Sequence, residues 1–393
     1  MKILHIIPYY KPAYGFGGPL TVCSDYAEFQ AKSGHAVTIA TTNVLNERET
    51  IDKSEEFING VRVLRFPIMS PYFAKKFNIY FSFGFKKWYK KNCSNYDIVH
   101  IHDFFTPQNI EVLKNIDKQP NYIVQPHGSS VPIRERGRQL FKILFNMMWG
   151  KEIMNRARKI IAISETEQKM VSAYFGILTN TKIEIIGNGI DNSKIKSLLL
   201  KLGSVNHLRK KYLIPNNVFV YLYFGRIHKI KNLDLILDSF IALGKAKRSV
   251  LVFAGEDNGY LDILKEKVKL SGNKTSVFFF NDHNSYNKYE LYKLANAYLL
   301  FSKSDPFGLT LLEASSCGLP LGVSKSVGLS KDIKDLGCGV LLNELTVKDA
   351  RSCLLELNNH SSIFSGRAHQ LAERYDLKNQ GRNLIKLYKD AIS

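Results

Sequence analysis

Two acids eight positions apart, Asp305 and Glu313, and two cations five apart, Arg226 and Lys231, are the residues of this 393-residue chain best suited to chemistry. Asp305 follows an apolar strand-like run, Ala297–Phe301, and precedes Pro306, whose fixed φ suits a first helical position. A helix over about 306–317 is expected, with Asp305 as its N-cap and Gly318 and Pro320 as its stop. The free amides of Phe307, Gly308 and Leu309 would then form an anion site, and Gly308 would let a phosphate approach the backbone. Along such a helix Glu313 lies about 12 Å beyond Asp305, a spacing that suits two ends of one nucleotide-sugar, whose hydroxyls carboxylates accept well. The plainer reading is a capping acid and a helix-surface acid.

Arg226 and Lys231 fall in the loop after Phe219–Phe224. Each charge-assisted bond to a diphosphate contributes roughly 1.5–3 kcal/mol; the plainer reading is a basic loop in a basic protein. His127, between Pro126 and Gly128, follows the apolar Tyr122–Gln125 and belongs at the top of a sheet. His100 and His102 alternate along a strand and share a face. A metal pair there lacks an evident third ligand, and Asp103 reads as a turn residue. No D-x-D pair occurs, and the five cysteines form no C-x-x-C pair; they are expected to be reduced thiols.

The elements that must position these groups alternate. Residues 3–7, a glycine loop at Gly15, Gly17 and Gly18, a helix over 19–33 ended by Gly34, and His35–Ala40 form a β-loop-α-β opening. Strands at Val61–Phe66, Asp97–His102, Tyr122–Gln125, Lys159–Ile163 and Ile183–Ile186 continue it, with helices over 72–91, 107–116 and 135–157. After Asn188-Gly189-Ile190 a polar, irregular connection to about Asn217 is expected. The pattern then restarts with strands at Phe219–Phe224, Ser249–Ala254, Val277–Phe280 and Ala297–Phe301, and ends in an amphipathic helix over 376–391. Two α/β runs predict two doubly wound domains whose ligands bind beyond the carboxyl ends of the strands. Over 72–91, a helical wheel groups Phe73, Phe77, Tyr80, Phe81, Phe85 and Trp88 on one arc, with Lys75, Lys76, Lys86 and Lys87 mostly opposite. Such a helix could lie on an anionic membrane or pack its aromatic side on the sheet.

The net charge of +20 favours an anionic partner, but the basic residues are dispersed and no nucleic-acid motif appears. No stretch approaches the roughly 20 apolar residues of a membrane span, and the N-terminal apolar run is too short for a signal core. A cytoplasmic protein is expected, free or peripheral at the inner face of the membrane.

In order along nearly the whole chain, the sequence resembles the retaining glycosyltransferases of family 4. The matching segments are Gly17-Gly18-Pro19, Gly34-His35-Ala36-Val37, Val99-His100-Ile101-His102, Pro126-His127-Gly128, Ser164-Glu165, Asn188-Gly189-Ile190-Asp191, Gly225-Arg226 with Lys231, Asp305-Pro306-Phe307-Gly308-Leu309, Glu313-Ala314 and Cys317-Gly318-Leu319-Pro320. The resemblance implies an α/β GT-B fold of two facing Rossmann-like domains. An acceptor-binding domain would cover 1–190 and a donor domain 191–374, with a helix over 375–393 returning toward the first. By position, Arg226, Lys231 and the amides near Gly308 and Leu309 would grip the donor diphosphate. Glu313 would bind ribose, Asp305 and His127 would serve the transferred sugar, and Gly17 and Gly18 would admit the donor. The donor would be a nucleoside-diphosphate hexose, with no metal or other cofactor. The acceptor would be a glycan, in polyprenyl-diphosphate-linked form if the chain docks on a membrane, as in surface polysaccharide synthesis.

Three departures stand out: Asp305 replaces the family's usual Glu, Asn232 stands where Gly often follows the lysine, and the loop over 327–332 lacks a double glycine and late Glu. Rival expectations are an epimerase or hydrolase of the same architecture and a non-enzymatic binder of anionic polymers. A dinucleotide enzyme is disfavoured because Leu20 replaces the third fingerprint glycine and Pro19 lacks an amide donor.

Overall fold

The structure, a computed structural model, describes all residues except 78, 133–135, 178–181, 245–247, 273–275 and 282–286, and only the backbone of 75, 77 and 136–138. The chain divides into two compact units, Met1–Gly189 with Leu377–Ser393, and Ile190–Asp376.

In the first unit eight strands run in the order β3-β4-β2-β1-β5-β6-β7-β8. They are β1 (Lys2–Ile6), β2 (Ala36–Thr42), β3 (Glu55–Ile58), β4 (Val61–Phe66), β5 (Ile98–His102), β6 (Tyr122–Gln125), β7 (Lys159–Ala162) and β8 (Ile183–Ile185). All pairings are parallel except β3 with β4, an antiparallel edge that the alternation pattern did not reveal. Because the chain moves outward from β1 to β2 and then restarts at β5, β1 and β5 flank a topological switch point. Aliphatic β1, β5, β6 and β7 are buried on both faces, as a helix-covered parallel sheet requires.

The second unit has the order β11-β10-β9-β12-β13-β14, all parallel. Its strands are β9 (Phe219–Phe224), β10 (Ser249–Ala254), β11 (Val277–Phe280), β12 (Ala297–Leu300), β13 (Leu321–Ser324) and β14 (Gly339–Leu342). The switch point lies between β9 and β12.

Three expectations about helices give way. The segment 72–91 is two helices, Pro71–Phe77 and Phe85–Asn92. Gly84, at φ +82°, caps the second, and Ile68 bridges to Ser82 between them. The aromatic arc is therefore not one face: Tyr80 and Phe85 are buried, Phe73 and Phe81 exposed, while the Lys75 and Phe77 side chains lie outside the described residues. The long helix over 135–157 contains a π-turn at Asn146–Gly150, between Arg136–Phe145 and Lys151–Arg156. The connection after Ile190 is helical at Asn192–Lys201 and Val205–Lys211, each started by a side-chain cap, Asp191 or Ser204. These short polar helices hide their signal because each has a single buried hydrophobic residue, Ile195 or Leu208.

Candidate active site

In the second unit the switch point gathers the residues singled out above. Arg226 is exposed just after β9, and Lys231 ends the short 3-10 turn Lys229–Lys231. Asn232 follows at φ +56°, ψ 43° and starts the helix Leu233–Ile241. That left-handed position explains why glycine would serve there: asparagine is one of the few side chains that tolerate it. On the other side of the switch, Ser302 donates to the carbonyl of Ile230 at 3.2 Å, and Lys231 Nζ meets Asp305 Oδ2 at 2.6 Å.

Asp305 does not cap a helix directly. Its Oδ1 accepts the Phe307 N–H at 3.2 Å, a side-chain turn, and Gly308 is the N-cap, at φ +97°, of the helix Leu309–Ser316. Pro306 and Phe307 form the turn because the chain must pass the left-handed Gly308 before it can wind into a helix. The first intrahelical bond is Leu311 N–H to the Gly308 carbonyl, 2.9 Å. The amides of Leu309 and Thr310 thus lie at the dipole-positive end, whereas the Phe307 amide is already engaged by Asp305. The 327–329 loop supports this turn through Gly328 N–H to the Asp305 carbonyl (3.0 Å) and Leu329 N–H to the Phe307 carbonyl (3.2 Å). A Cβ on Gly328 would sit 2.1 Å from the Pro306 carbonyl oxygen, so this single glycine is needed for the close approach.

Glu313, one turn along, accepts from Lys288 Nζ at 2.7 Å and from the Tyr292 hydroxyl at 3.1 Å. Burial opposes the Lys288 charge, but attraction to Glu313 outweighs it and raises the lysine pKa. Tyr298 ties the two sides together, donating to the Phe224 carbonyl (2.8 Å) and lying 2.7 Å from Thr310 Oγ1. Lys288, Tyr292 and Tyr298 escaped the sequence reading. The one available signal was a lysine at the first position of its helix, where the macrodipole disfavours a cation.

In the first unit, β1 and β5 place His5 beside His100 in register, and His102 one repeat beyond. His100 and His102 are fully enclosed, and so is His5, which the sequence reading passed over. Hydrogen bonds link His5 Nε2 with Gln30 Oε1 (2.7 Å), His5 Nδ1 with His102 Nε2 (2.8 Å) and His102 Nδ1 with His127 Nε2 (3.0 Å). His100 Nδ1 meets the Tyr388 hydroxyl at 2.6 Å. Burial lowers the pKa of His5 to about 4 and holds His100 and His102 well below the usual imidazole value.

His127 has φ +52°, a strained position for a non-glycine residue. Its turn is pinned by buried Glu167, which accepts the Gly128 N–H, and by Asp103, whose Oδ1 accepts from Ser129 Oγ at 2.7 Å. The residue as a whole is half-buried, and burial of its imidazole pushes its pKa down to about 3. Gly17, at φ +93° and ψ −156°, occupies a region essentially reserved for glycine and starts the helix Gly18–Lys32. Among the described residues, nothing lies within 4 Å of where its Cβ would be.

His5, Cys23 and His102 bring one ligand atom each within 4.8 Å of one another, a set suited to zinc in type. The fit is poor: the two imidazoles share a direct hydrogen bond, burial pushes the Cys23 thiol up, and no fourth ligand joins among the described residues. The group is a hydrogen-bonded core. All five cysteines are free thiols.

Two Rossmann-like parallel sheets, each with its singled-out residues at the carboxyl end of a switch point, define the GT-B class. Glycosyltransferase Family 4 matches residues 16–194 and Glycosyl transferases group 1 matches 204–357. The chain belongs to the family-4 type of glycosyltransferase. It is 24% identical to an uncharacterised glycosyltransferase of Methanocaldococcus jannaschii, over 100% of this chain and 99% of that protein. It is also 24% identical to the alpha-monoglucosyldiacylglycerol synthase of Streptococcus pneumoniae, over 92% and 80%. The structure of Anabaena HepE in complex with UDP and glucose superposes with a TM-score of 0.74, at 16% identity and 99% coverage of both chains.

Proposed function

We propose that this glycosyltransferase moves a hexose from a nucleoside-diphosphate sugar to a glycan acceptor, with retention at the anomeric carbon. The carrying observation is the arrangement at the β9/β12 switch point. Arg226, Lys231 and the dipole-positive end of the Leu309 helix supply positive potential beside Asp305, while Glu313 is held ready for hydroxyls. As the sugar–phosphate bond breaks, negative charge grows on the leaving diphosphate. Preorganised cations and amides stabilise that charge without a metal ion. Lys231 would exchange part of its contact with Asp305 for phosphate, which frees Asp305 for the sugar. No close pair of carboxylates for a double displacement is identified among the described residues, so departure and attack on one face, with the leaving phosphate taking the acceptor proton, is the favoured course. His127 would contact the transferred sugar, and Gly17 and Gly18 would admit it.

Arg226→Ala and Lys231→Ala are each expected to cut transfer by roughly 10- to 100-fold, the value of one charge-assisted phosphate contact. Near-normal turnover in both would sink the assignment. Donor converted without any acceptor would indicate an epimerase or hydrolase instead.

We further infer that the acceptor is met at an anionic membrane surface, a lipid-linked glycan being the natural substrate there, as in surface polysaccharide synthesis. Residues 67–96 contain six lysines and no acid. Exposed Phe73, Phe81 and Phe83 accompany exposed Lys76, Lys86, Lys87, Lys90 and Lys91. Leu140, Leu144 and Met147 are further exposed apolar side chains of the same unit. No helix among the described residues is long and apolar enough to cross a membrane. At about 1 kcal/mol per basic residue near the surface, binding to anionic vesicles should be strong at low salt and lost at high salt. Absence of binding at low salt removes the inference, and equal binding to nucleic acid would favour a general polyanion binder.

A further inference from the structure

The histidines of the first unit form a directional chain. Gln30 Oε1 can only accept, so His5 Nε2, 2.7 Å away, carries a proton. His5 is fully buried and its pKa is depressed, so it stays neutral and its Nδ1 is a bare acceptor. His102 Nε2, 2.8 Å from that atom, must then be the donor, which makes His102 Nδ1 the acceptor. The same step repeated at 3.0 Å places a proton on His127 Nε2 and leaves His127 Nδ1 bare. That Nδ1 is enclosed and has no hydrogen-bond partner among the described residues. The Gln30 amide is itself oriented, because its Nε2 donates to the Tyr388 hydroxyl at 3.4 Å and Tyr388 meets His100 Nδ1 at 2.6 Å.

We propose that Gln30 sets the tautomer of His127 through a relay of two buried imidazoles, leaving His127 Nδ1 unprotonated, as a hydrogen-bond acceptor. A reversed tautomer at any one link would oppose two N–H groups or two lone pairs across a buried contact, where no water can relieve the mismatch. The three rings therefore switch together or not at all. Gln30, His5 and His102 are positioning residues: they touch no substrate and act through His127. His127 Nδ1 is enclosed in the ligand-free chain; a sugar that reached it would meet a bare nitrogen able to accept a hydroxyl, whereas the opposite tautomer would present an N–H to the same group. The use of this nitrogen in transfer rests on the proposed function; the tautomer itself does not.

The test uses the full chain with ¹⁵N-labelled histidine, and His127 signals are assigned by their loss in His127→Gln. Long-range ¹H–¹⁵N correlation should show wild-type His127 protonated at Nε2; protonation at Nδ1 would overturn the relay without recourse to any variant. Gln30→Met removes the acceptor, and His127 should shift toward the Nδ1-protonated form, while His5→Gln, whose carboxamide oxygen still faces His102 Nε2, should preserve the wild-type tautomer. An unmoved tautomer in Gln30→Met overturns the proposal. In transfer assays, Gln30→Met should lower kcat roughly tenfold with donor KM within about twofold, a change confined to the reacting state. A shifted tautomer with unchanged kcat would uphold the relay and overturn the role of His127 in transfer.

Discussion

Lys288 and Glu313 show how ligand-free charges are kept at a site meant for someone else's charge. Their 2.7 Å contact satisfies Glu313 while leaving it partly exposed. Glu313→Gln should keep the fold, since Tyr292 and Lys288 can still bond a carboxamide, yet weaken donor binding by roughly tenfold through loss of a charged acceptor; calorimetry with the donor checks this. The buried imidazoles carry a second residue-scale prediction. His5, His100 and His102 have native pKa values below the ordinary 6.5, so their contribution is complete above about pH 6.5. As pH falls below that, the unfolded chain takes up protons that the native state refuses, and stability drops. At about pH 5.5 the His5 ring alone costs about 1.4 kcal/mol, and His100 and His102 act in the same direction. Urea unfolding at that pH and at about pH 7.5 should show the difference; equal stability would mean that the rings take up charge in the native state.

At the scale of elements, the site depends on backbone shapes. The Leu309 helix can start where it does because Gly308 is left-handed and because Gly328 lets the neighbouring loop come within bonding distance of Asp305 and Phe307. Gly328→Ala should destabilise the second unit by roughly 1–3 kcal/mol, an overpacking cost against backbone that cannot retreat, with loss of activity as the 305–308 turn shifts. Asn232 offers a contrast at φ +56°. Asn232→Gly should leave stability within about 1 kcal/mol, whereas Asn232→Val should cost roughly 1–2 kcal/mol or more. Thermal unfolding of the pair separates a conformational requirement from a chemical one. The split of 72–91 into two helices belongs to the same scale: the spacing of aromatics and lysines suits a helical wheel, and Gly84 with the Ile68–Ser82 bridge overrides it.

At the scale of the whole molecule, the chain closes on its beginning. The helix Leu377–Ile392 packs on Gly18–Lys32, where a Cβ on Gly381 would lie 2.4 Å from the Phe29 ring. Tyr388 on that helix buries its hydroxyl against His100. Gly381→Val should therefore destabilise the first unit by roughly 1–3 kcal/mol, visible as earlier protease cleavage near the C-terminus. An unchanged digestion pattern would show that the helix contact is not limiting.

The alternation of apolar strands with helices was legible in the sequence, because a buried parallel strand must be continuously apolar whatever its neighbours are. The local pattern already put Arg226 and Lys231 beyond one strand end and Asp305 and Gly308 beyond another, whereas their grouping with Glu313 as one donor set rested on the family resemblance. Pairing partners were not legible: Lys288, Tyr292 and Tyr298 meet Glu313 and Thr310 only once distant segments fold together. His5 and Gln30 look like incidental polar residues in an apolar strand and a helix until the β1/β5 switch point sets them in line with His102 and His127. Sequence by itself determined which residues could carry charge and where strands would end, since both follow from residue type and local pattern. Tertiary structure decided which groups touch and hence their proton positions, because hydrogen bonds form across the sheet between residues that share no local signal.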